Sequence, residues 1–386
     1  MVRVALPASP RIAVFRALQL GDMLCAVPAL RALRKGYPDA RITLIGLPWA
    51  ATFIERYATL VDDLLWFPGG PGFPEQPLPP REAVRTFFTE MRERRFDLAL
   101  QLHGSGERLN EMMLNFGAAR LAGFYPVGEP APELPEGRSC FIPWPEHAQE
   151  AERYCMLMRA LGIACDARDS EFPLQEADHD EWRAVAARHD LVEGRFICIH
   201  PGARLRSRRW PVARYAAVAN ALADEGWQIV VTGAHDEAHL AAELARHSRA
   251  PVVDLTGVTS IGGLAALLSH ARLLICNDTG VSHVAAAVKA RSVVIASGSD
   301  VRRWAPADRD LHRVLAHHPP CRPCMHENCP TGHECARGVT VDSVLEAARA
   351  QLAARGSVQS RDRAGFDARA ARMRGTVHPG EPSHAG

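Results

Sequence analysis

Short apolar runs alternate with helix-length segments through the second half of the chain, and this alternation constrains the fold more than any other feature. Five runs have the length of buried strands, at residues 196–200, 227–232, 252–255, 272–276 and 292–296. Four helical segments separate them, at residues 212–223, 237–246, 261–269 and 282–288. Strands that alternate with helices form a parallel sheet with helices on both faces. The sequence therefore predicts an α/β, doubly wound domain.

The first half carries a similar but less regular pattern. Apolar runs at residues 11–16 and 41–45 flank a helical segment over about residues 23–35, and residues 96–102 form a further candidate strand. The expected architecture is two Rossmann-like domains facing each other across a cleft, one over residues 1–185 and one over residues 186–355. Ligands of such domains bind beyond the carboxyl ends of the strands.

Three segments lack this pattern. Residues 69–80 and 129–146 are rich in proline, and we expect irregular surface segments there. The tail, residues 356–386, is rich in Arg, Ala and Gly with little apolar periodicity, which predicts disorder.

The charge balance argues against one class of partner. The chain has 386 residues with 45 basic and 44 acidic side chains, whereas general nucleic-acid binders carry a basic excess. Neither a secretory leader nor an apolar run of about 18 residues is visible. We expect a cytoplasmic protein that binds no nucleic acid and contacts a membrane, if any, only peripherally and from the inside.

The loop after the first strand of the second half is basic. Five arginines fall between Arg204 and Arg214 in a chain that is otherwise neutral. Gly202 lets the backbone approach a ligand closely, and arginine pairs with phosphate oxygens in fork geometry. A solvated basic loop fits the same spacing, but its place at the end of a strand favours a pyrophosphate site.

Two further loops carry candidate functional groups. Asp278, Thr279 and Gly280 precede a helix whose free N–H groups would attract an anion, with His283 one turn on. Taken singly, Asp278 or Thr279 fits a helix cap and His283 fits a core histidine, but donors that face the arginine loop favour a phosphate or sugar site. Asp22, at a strand-to-helix turn, is either an N-cap or a carboxylate that takes a proton from a hydroxyl in the cleft.

Six short landmarks occur in order at sensible spacing, and together they resemble the bacterial heptosyltransferases of glycosyltransferase family nine. The resemblance covers roughly residues 11–350. Its landmarks are Gly21-Asp22 with Pro28-Ala29-Leu30, Pro38-Asp39-Ala40-Arg41-Ile42, His200-Pro201-Gly202-Ala203, Arg209-Trp210-Pro211, Thr232-Gly233 and Asp278-Thr279-Gly280-Val281-Ser282-His283.

The resemblance implies a GT-B fold with the acceptor held by the first domain and the nucleotide sugar, ADP-heptose, by the second. It also implies transfer to a lipopolysaccharide-core acceptor with inversion at the anomeric carbon and without a catalytic metal. Asp22 matches the family's proposed general base. Arg208 stands where many members have a lysine against the donor diphosphate. The remaining implied donor contacts are Gly202, Asp236, Glu237, Asp278, Thr279, Gly280 and His283.

Four cysteines cluster in the pattern C-x2-C-x4-C-x5-C, at Cys321, Cys324, Cys329 and Cys335. Four thiolates favour a structural zinc or iron ion. Two disulfides or four free thiols fit the same spacing. The other six cysteines are scattered singly in apolar surroundings, which is typical of small core residues in a reducing compartment.

Three other functions fit parts of the sequence. One is a glycosyltransferase with another nucleotide sugar or acceptor, since donor choice depends on nucleoside contacts that the sequence does not resolve. Another is a catalytically silent protein that binds a nucleotide or a glycan. The third is an NAD-dependent oxidoreductase, which the lack of a G-x-G-x-x-G motif after any predicted strand counts against.

Overall fold

The computed structural model describes residues 6–132, 134–135, 137–168 and 170–354. Twelve strands within these residues form two six-stranded sheets, one from each half of the chain. The tail that we predict to be disordered, residues 356–386, lies outside the described residues.

The first sheet is entirely parallel, in the order β3-β2-β1-β4-β5-β6. Its strands are β1 (Arg11–Phe15), β2 (Arg41–Gly46), β3 (Asp63–Trp66), β4 (Leu98–Gln101), β5 (Leu121–Tyr125) and β6 (Ser139–Pro143). The helices of this half are α1 (Leu20–Gly36), α2 (Ala50–Arg56), α3 (Arg81–Glu93), α4 (Glu107–Leu114), α5 (Glu150–Ala160) and α6 (Glu176–His189).

The second sheet is also parallel and runs β12-β11-β10-β7-β8-β9. Its strands are β7 (Phe196–His200), β8 (Gln228–Val231), β9 (Val252–Asp254), β10 (Leu273–Asn277), β11 (Ser292–Ile295) and β12 (His312–Leu315). The helices are α7 (Val212–Asp224), α8 (Ala238–His247), α9 (Ile261–His270), α10 (Gly280–Ala287), α11 (Val301–Trp304), α12 (Glu334–Arg337) and α13 (Val341–Ala353).

The central strands are apolar throughout because helices cover both faces of each sheet. Every residue of β7 and of β10 is buried, and β1 is exposed only at its first residue. Parallel strands that are buried on both faces read as continuous hydrophobic runs, which is why the sequence pattern predicts them well. The prediction of an α/β, doubly wound fold is confirmed.

Both sheets share one topology, and it decides where their loops meet. In each half the strand order reverses beside the first strand, between β1 and β4 and between β7 and β10. The loops that leave these strands diverge at the reversal and leave a crevice at the carboxyl ends. Each half therefore presents one crevice.

Residues 129–146 are not wholly irregular, and in this respect the prediction is wrong. Residues 139–143 form β6, which pairs only with β5 at the edge of the first sheet. Pro143 is the last residue of that strand, where a missing N–H breaks no bond within the sheet. Residues 69–80 form no helix or strand, as predicted.

The expectation of six isolated reduced cysteines is also wrong for two of them. Cys155 on α5 and Cys165 in the following loop form a disulfide, with their Cα atoms 5.0 Å apart. Cys25, Cys140, Cys198 and Cys276 are free thiols.

The boundary proposed at residues 185 and 186 stays a prediction. Residue 185 lies inside α6, which packs on α9 of the second half. Trp182 of α6 stacks on His270 and on Phe196, with ring centroids 4.7 and 5.6 Å apart. Among the described residues, no helix combines the length and the apolar character that crossing a membrane requires.

Candidate functional site

A single cleft of about 500 Å³ joins the crevices of the two sheets. Six of the nine predicted donor and catalytic residues line it, namely Asp22, Arg208, Asp278, Thr279, Gly280 and His283. Gly202, Asp236 and Glu237 are not part of its lining. The lining from the first half includes Gln19, Glu75, His103 and Glu150, and that from the second half includes Arg204, Ser299, Arg303 and Trp304.

Asp22 lies in the first turn of α1 and is not its cap. The N-cap residue is Gln19, whose side chain makes no capping hydrogen bond. The backbone carbonyl of Asp22 accepts hydrogen bonds from Nε and Nη2 of Arg16, at 2.9 and 2.6 Å. Its carboxylate is 26% exposed and lies 3.9 Å from Arg16 Nη2. The backbone is thus fixed, while the carboxylate lines the cleft.

A buried ionic network lies beneath Asp22. Arg16 is fully buried and donates a hydrogen bond from Nη1 to the hydroxyl of Tyr154, at 2.6 Å. Glu150, also buried, accepts from Arg153 Nη1 and from Arg303 Nε, both at 2.7 Å. Burial alone would raise the pKa of Glu150, but its contacts with Arg303, Arg16 and Tyr154 outweigh burial and lower the pKa to about 2.

Arg303 links the two halves within this network. It comes from α11 of the second half, and Glu150 begins α5 of the first. The Arg303 side chain is 35% exposed at the cleft, and its guanidinium lies 4.4 Å from the centroid of the Trp304 ring. A second link is close by, where Gln149 Nε2 donates to the carbonyl of Ala305 at 2.7 Å.

The N-termini of α1 and α10 meet at a glycine. A Cβ on Gly21 would lie 3.3 Å from Gly280 Cα and 3.1 Å from His283 Cδ2. Only a residue without a side chain allows this approach without a shift in its neighbours. The contact brings Asp22 next to the start of α10. His283 both packs, with Nδ1 3.7 Å from Cys25 Sγ, and lines the cleft.

Buried Asn277 holds the arginine loop in place. Its Nδ2 donates to the carbonyls of Pro201 and Gly202 at 2.8 and 3.1 Å, and its Oδ1 accepts from the N–H of Trp210 at 2.9 Å. The loop that follows β7 is therefore tied to the end of β10.

The five arginines of that loop do not converge on one point. Arg209 and Arg214 donate to backbone carbonyls, of Ala203 and Val339 among others. Arg204 and Arg208 line the cleft. Arg208 Nη2 donates to the carbonyl of Cys324 at 2.7 Å, and its Nε is buried with no hydrogen-bond partner among the described residues. Burial lowers the pKa of Arg208, and Asp278 opposes that shift.

Glu237 and Gly202 form a separate group beside the cleft. Glu237 Oε2 accepts from the N–H of Ala234 at 2.9 Å and lies 3.7 Å from Nε2 of buried His200. A side chain on Gly202 would collide with the Glu237 carboxylate. Asp236 is exposed, and its carboxylate makes no hydrogen bond to Glu237, Gly202 or any other described residue.

The four clustered cysteines line one cavity of about 30 Å³, together with His326 and His333. Cys329 Sγ accepts a hydrogen bond from the N–H of His333 at 3.2 Å. Across residues 6–354, apart from 133, 136 and 169, no three His, Cys, Asp or Glu side chains are grouped to hold a metal ion. The four thiols form no disulfide with one another, and they are not grouped as a coordination set.

Sequence reasoning missed several residues of the cleft. His103 carried a signal, because it follows β4 at the strand reversal, where side chains face the crevice. Glu150 and Arg303 carried no sequence signal for the cleft. They are 153 positions apart, and only the packing of the two halves brings them together.

Comparison with known proteins indicates the family to which the chain belongs. The chain matches the sequence model of glycosyltransferase family 9 (heptosyltransferase) over residues 133–334. Lipopolysaccharide heptosyltransferase 3 of Escherichia coli K12 is 24% identical over 332 residues, which are 85% of this chain and 92% of that protein.

Solved structures show the same fold. A family 9 glycosyl transferase of Veillonella parvula DSM 2008 superposes with a TM-score of 0.73 at 20% identity, over 91% of this chain and 99% of that one. The E. coli ADP-heptose lipopolysaccharide heptosyltransferase II gives 0.64 at 23% identity, over 89% and 98%. The iron-containing dodecameric heptosyltransferase TibC is more distant, with a TM-score of 0.51 at 14% identity, over 90% and 77%.

The family model covers more than half of the chain, and the solved heptosyltransferases share the arrangement of two parallel sheets around a cleft. The chain therefore belongs to glycosyltransferase family 9, the heptosyltransferase family, and is a glycosyltransferase with the GT-B fold.

Proposed function

We propose that this enzyme transfers heptose from ADP-heptose to a sugar of the lipopolysaccharide core, with inversion at the anomeric carbon and Asp22 as the general base. The observation that carries this proposal is the placement of the Asp22 carboxylate, in the cleft and beside the N-terminus of α10. The names of the relatives support the choice of donor and acceptor.

The second half supplies the donor side of the proposed site. Arg208 and Arg204 provide positive charge, and the free N–H groups at the start of α10 provide the positive end of a helix dipole. A diphosphate bound between them would gain negative charge as the glycosidic bond breaks. Preorganised donors aimed at that charge lower the barrier to the reaction.

The first half supplies the base. In the proposed reaction the acceptor hydroxyl attacks the anomeric carbon from the face opposite the diphosphate, and Asp22 takes the hydroxyl proton. The bond between the anomeric carbon and the diphosphate oxygen breaks, and ADP leaves with that electron pair. Arg16 fixes the backbone of Asp22 by donating two hydrogen bonds to the Asp22 carbonyl. It makes no hydrogen bond to the carboxylate, whose Oδ1 lies 3.9 Å from Arg16 Nη2.

Glu237 and Gly202 lie where the nucleoside would extend from the diphosphate, at the next strand of the second sheet. The Glu237 carboxylate accepts one N–H bond, and its side chain is 12% exposed. We propose Glu237 as the ribose contact rather than Asp236, because Glu237 faces Gly202.

We further propose that the enzyme works in the cytoplasm at the inner face of the inner membrane, and that no metal takes part in transfer. A structural zinc or iron at the cysteine cluster stays a prediction. Metal analysis of protein purified without chelators tests it. About one equivalent per chain that Cys321→Ser and Cys324→Ser abolish would support the metal, and none in the parent protein would contradict it.

The donor is tested by nucleotide release from ADP-heptose, with UDP- and GDP-sugars in parallel and a heptose-deficient core oligosaccharide as acceptor. We expect acceptor-dependent release of ADP only. Release of another nucleotide would support the assignment as a glycosyltransferase but contradict ADP-heptose as the donor. Binding of ADP without turnover of any donor would instead favour a silent nucleotide-binding protein.

A further inference from the structure

The two walls of the cleft differ in charge. The wall from the second half carries Arg204, Arg208 and Arg303 and one carboxylate, that of Asp278. The first-half residues that line the cleft include no lysine or arginine. Arg108 packs against the loop that carries Glu75, with Nη1 3.8 Å from the position of a Cβ on Gly72, but it is not part of the lining. Within the described chain the basic groups of the cleft thus lie on the donor side, while the acceptor side carries the carboxylates of Asp22 and Glu75.

Arg16 and Arg303 do not alter this division. Arg16 is fully buried and is not part of the cleft lining, because its guanidinium is held by Tyr154 and by the carbonyl of Asp22. Arg303 is held by both oxygens of Glu150, from Nε at 2.7 Å and from Nη2 at 3.2 Å. Its charge is therefore already paired.

Two polar side-chain atoms on the acceptor wall have no hydrogen-bond partner in the part of the chain that the structure describes. Glu75 Oε2 and His103 Nδ1 are both buried and without a hydrogen bond to any described residue. Buried polar groups are normally satisfied, and a group without a partner costs stability. Hydroxyl groups of a bound sugar would satisfy both.

His103 is held as a neutral ring. It lies between Phe15 and Phe73, with centroid distances of 5.5 and 5.3 Å. Burial, with Arg16 as a second cause, lowers the pKa of His103 to about 4. A neutral imidazole has one nitrogen that donates and one that accepts, which suits a hydroxyl but adds no attraction for an anion.

We propose that Glu75 and His103 form the acceptor subsite and that it selects a neutral sugar presenting hydroxyl groups over a phosphorylated or carboxylated one. An anionic group at this wall would lie beside the carboxylates of Asp22 and Glu75 and would be repelled by them, while Arg204 and Arg208 belong to the opposite wall. The inference rests on the proposed function, because it assumes that this wall receives the acceptor.

Kinetics with two acceptors tests the inference. The acceptors are a phosphorylated core oligosaccharide and the same oligosaccharide after chemical dephosphorylation, with ADP-heptose as donor. We expect the parent enzyme to have a KM for the dephosphorylated acceptor lower by about ten-fold or more. Equal values, or preference for the phosphorylated acceptor, would overturn the proposal.

Variants test the two residues directly. Glu75→Gln and His103→Phe, which keep the size and packing of the side chains, should each raise the KM for the neutral acceptor roughly ten-fold. The KM for ADP-heptose should not change. Glu75→Lys should move the preference toward the phosphorylated acceptor. Glu111→Gln, an exposed carboxylate on α4, is the matched control and should behave as the parent does.

Failure of this inference is distinguishable from failure of the proposed function. If the parent enzyme transfers heptose and the variants keep its acceptor KM with an unchanged melting temperature, the subsite is wrong and the transferase stands. If calorimetry shows no binding of ADP by the parent protein, the proposed function itself fails.

Discussion

At the scale of single residues, burial of charge distinguishes this cleft from an ordinary loop surface. Arg16, Glu150 and Arg153 are each exposed by at most 2%. Such ions are tolerated only when they are paired and hydrogen-bonded. Folding lowers the pKa of Glu150 from 4.5 to about 2, so its carboxylate adds stability above pH 4.5 that is lost as the pH falls toward 2.

Glu150→Gln should destabilise the protein by about 3–5 kcal/mol, because it leaves buried arginines without their carboxylate. Urea unfolding at pH 7 measures the change. Glu152→Gln, two positions away and about one-third exposed in an ion pair with Arg159, should cost less than about 1 kcal/mol. Equal losses in the two variants would show that the buried network does not stabilise the fold.

Residues whose position in the cleft follows from their own loop could be predicted from the sequence. Residues that are brought to the cleft by contacts between distant segments could not. Asp22, Arg208 and Asp278 follow predicted strands, and the structure brings all three to one cleft. Whether they act in catalysis and donor binding stays a prediction. The pairing of Glu150 with Arg303 depends on how the halves pack, which no local pattern encodes.

At the scale of elements, the contact of α1 with α10 joins the two halves of the site. Gly21 lies against Gly280, which begins the facing helix. Any side chain at residue 21 must push the helices apart or displace His283.

Gly21→Val should lower kcat/KM by about 100-fold, because a misplacement near 1 Å in a catalytic group has an effect of that size. Gly21→Ala should give a smaller loss, since its Cβ meets atoms at 3.1 and 3.3 Å that give way by a few tenths of an ångström. Steady-state kinetics of the two variants checks this order. A Val variant with the kcat/KM of the parent would rule out close helix contact in the working enzyme.

The sequence predicted best those strands that are fully buried in the structure. Residues 196–200 and 292–296 were expected as strands, and β7 and β11 lie there. β6 was not expected, because its proline-rich surroundings indicate a loop and an edge strand needs only one neighbour.

At the scale of the whole molecule, two sheets of the same topology face one cleft, and hydrogen bonds of Arg303 and Gln149 link the two halves. The sequence predicted the two halves from their repeated βα pattern. It did not predict the charge difference between the walls, because that depends on which loops line the cleft. It also did not predict that the cysteines share a cavity without forming a coordination group.

Acid should destabilise the folded protein well before its carboxylates titrate. Burial lowers the pKa of both His103 and His312 from 6.5 to about 4. Between these pH values the unfolded chain therefore binds protons at the two histidines, whereas the folded protein does not. The free energy of unfolding should therefore fall as the pH falls from 6.5 to about 4.

His312→Asn tests this, since it retains a group that can bond Ser292, whose hydroxyl lies 2.8 Å from His312 Nδ1. The loss of unfolding free energy between pH 7 and pH 4 should shrink by on the order of 3 kcal/mol. Exposed His239→Asn is the control and should follow the parent curve. Identical pH dependence in the parent and the His312 variant would contradict the assignment.

The most direct test of the central claim is acceptor-dependent release of ADP from ADP-heptose by the parent enzyme and by Asp22→Asn, with exposed Asp39→Asn as the control. We expect Asp22→Asn to lower kcat by about 10²–10⁴-fold while ADP still binds, and Asp39→Asn to behave as the parent does. Turnover in Asp22→Asn equal to that of the parent would contradict the assignment of Asp22 as the base in this cleft.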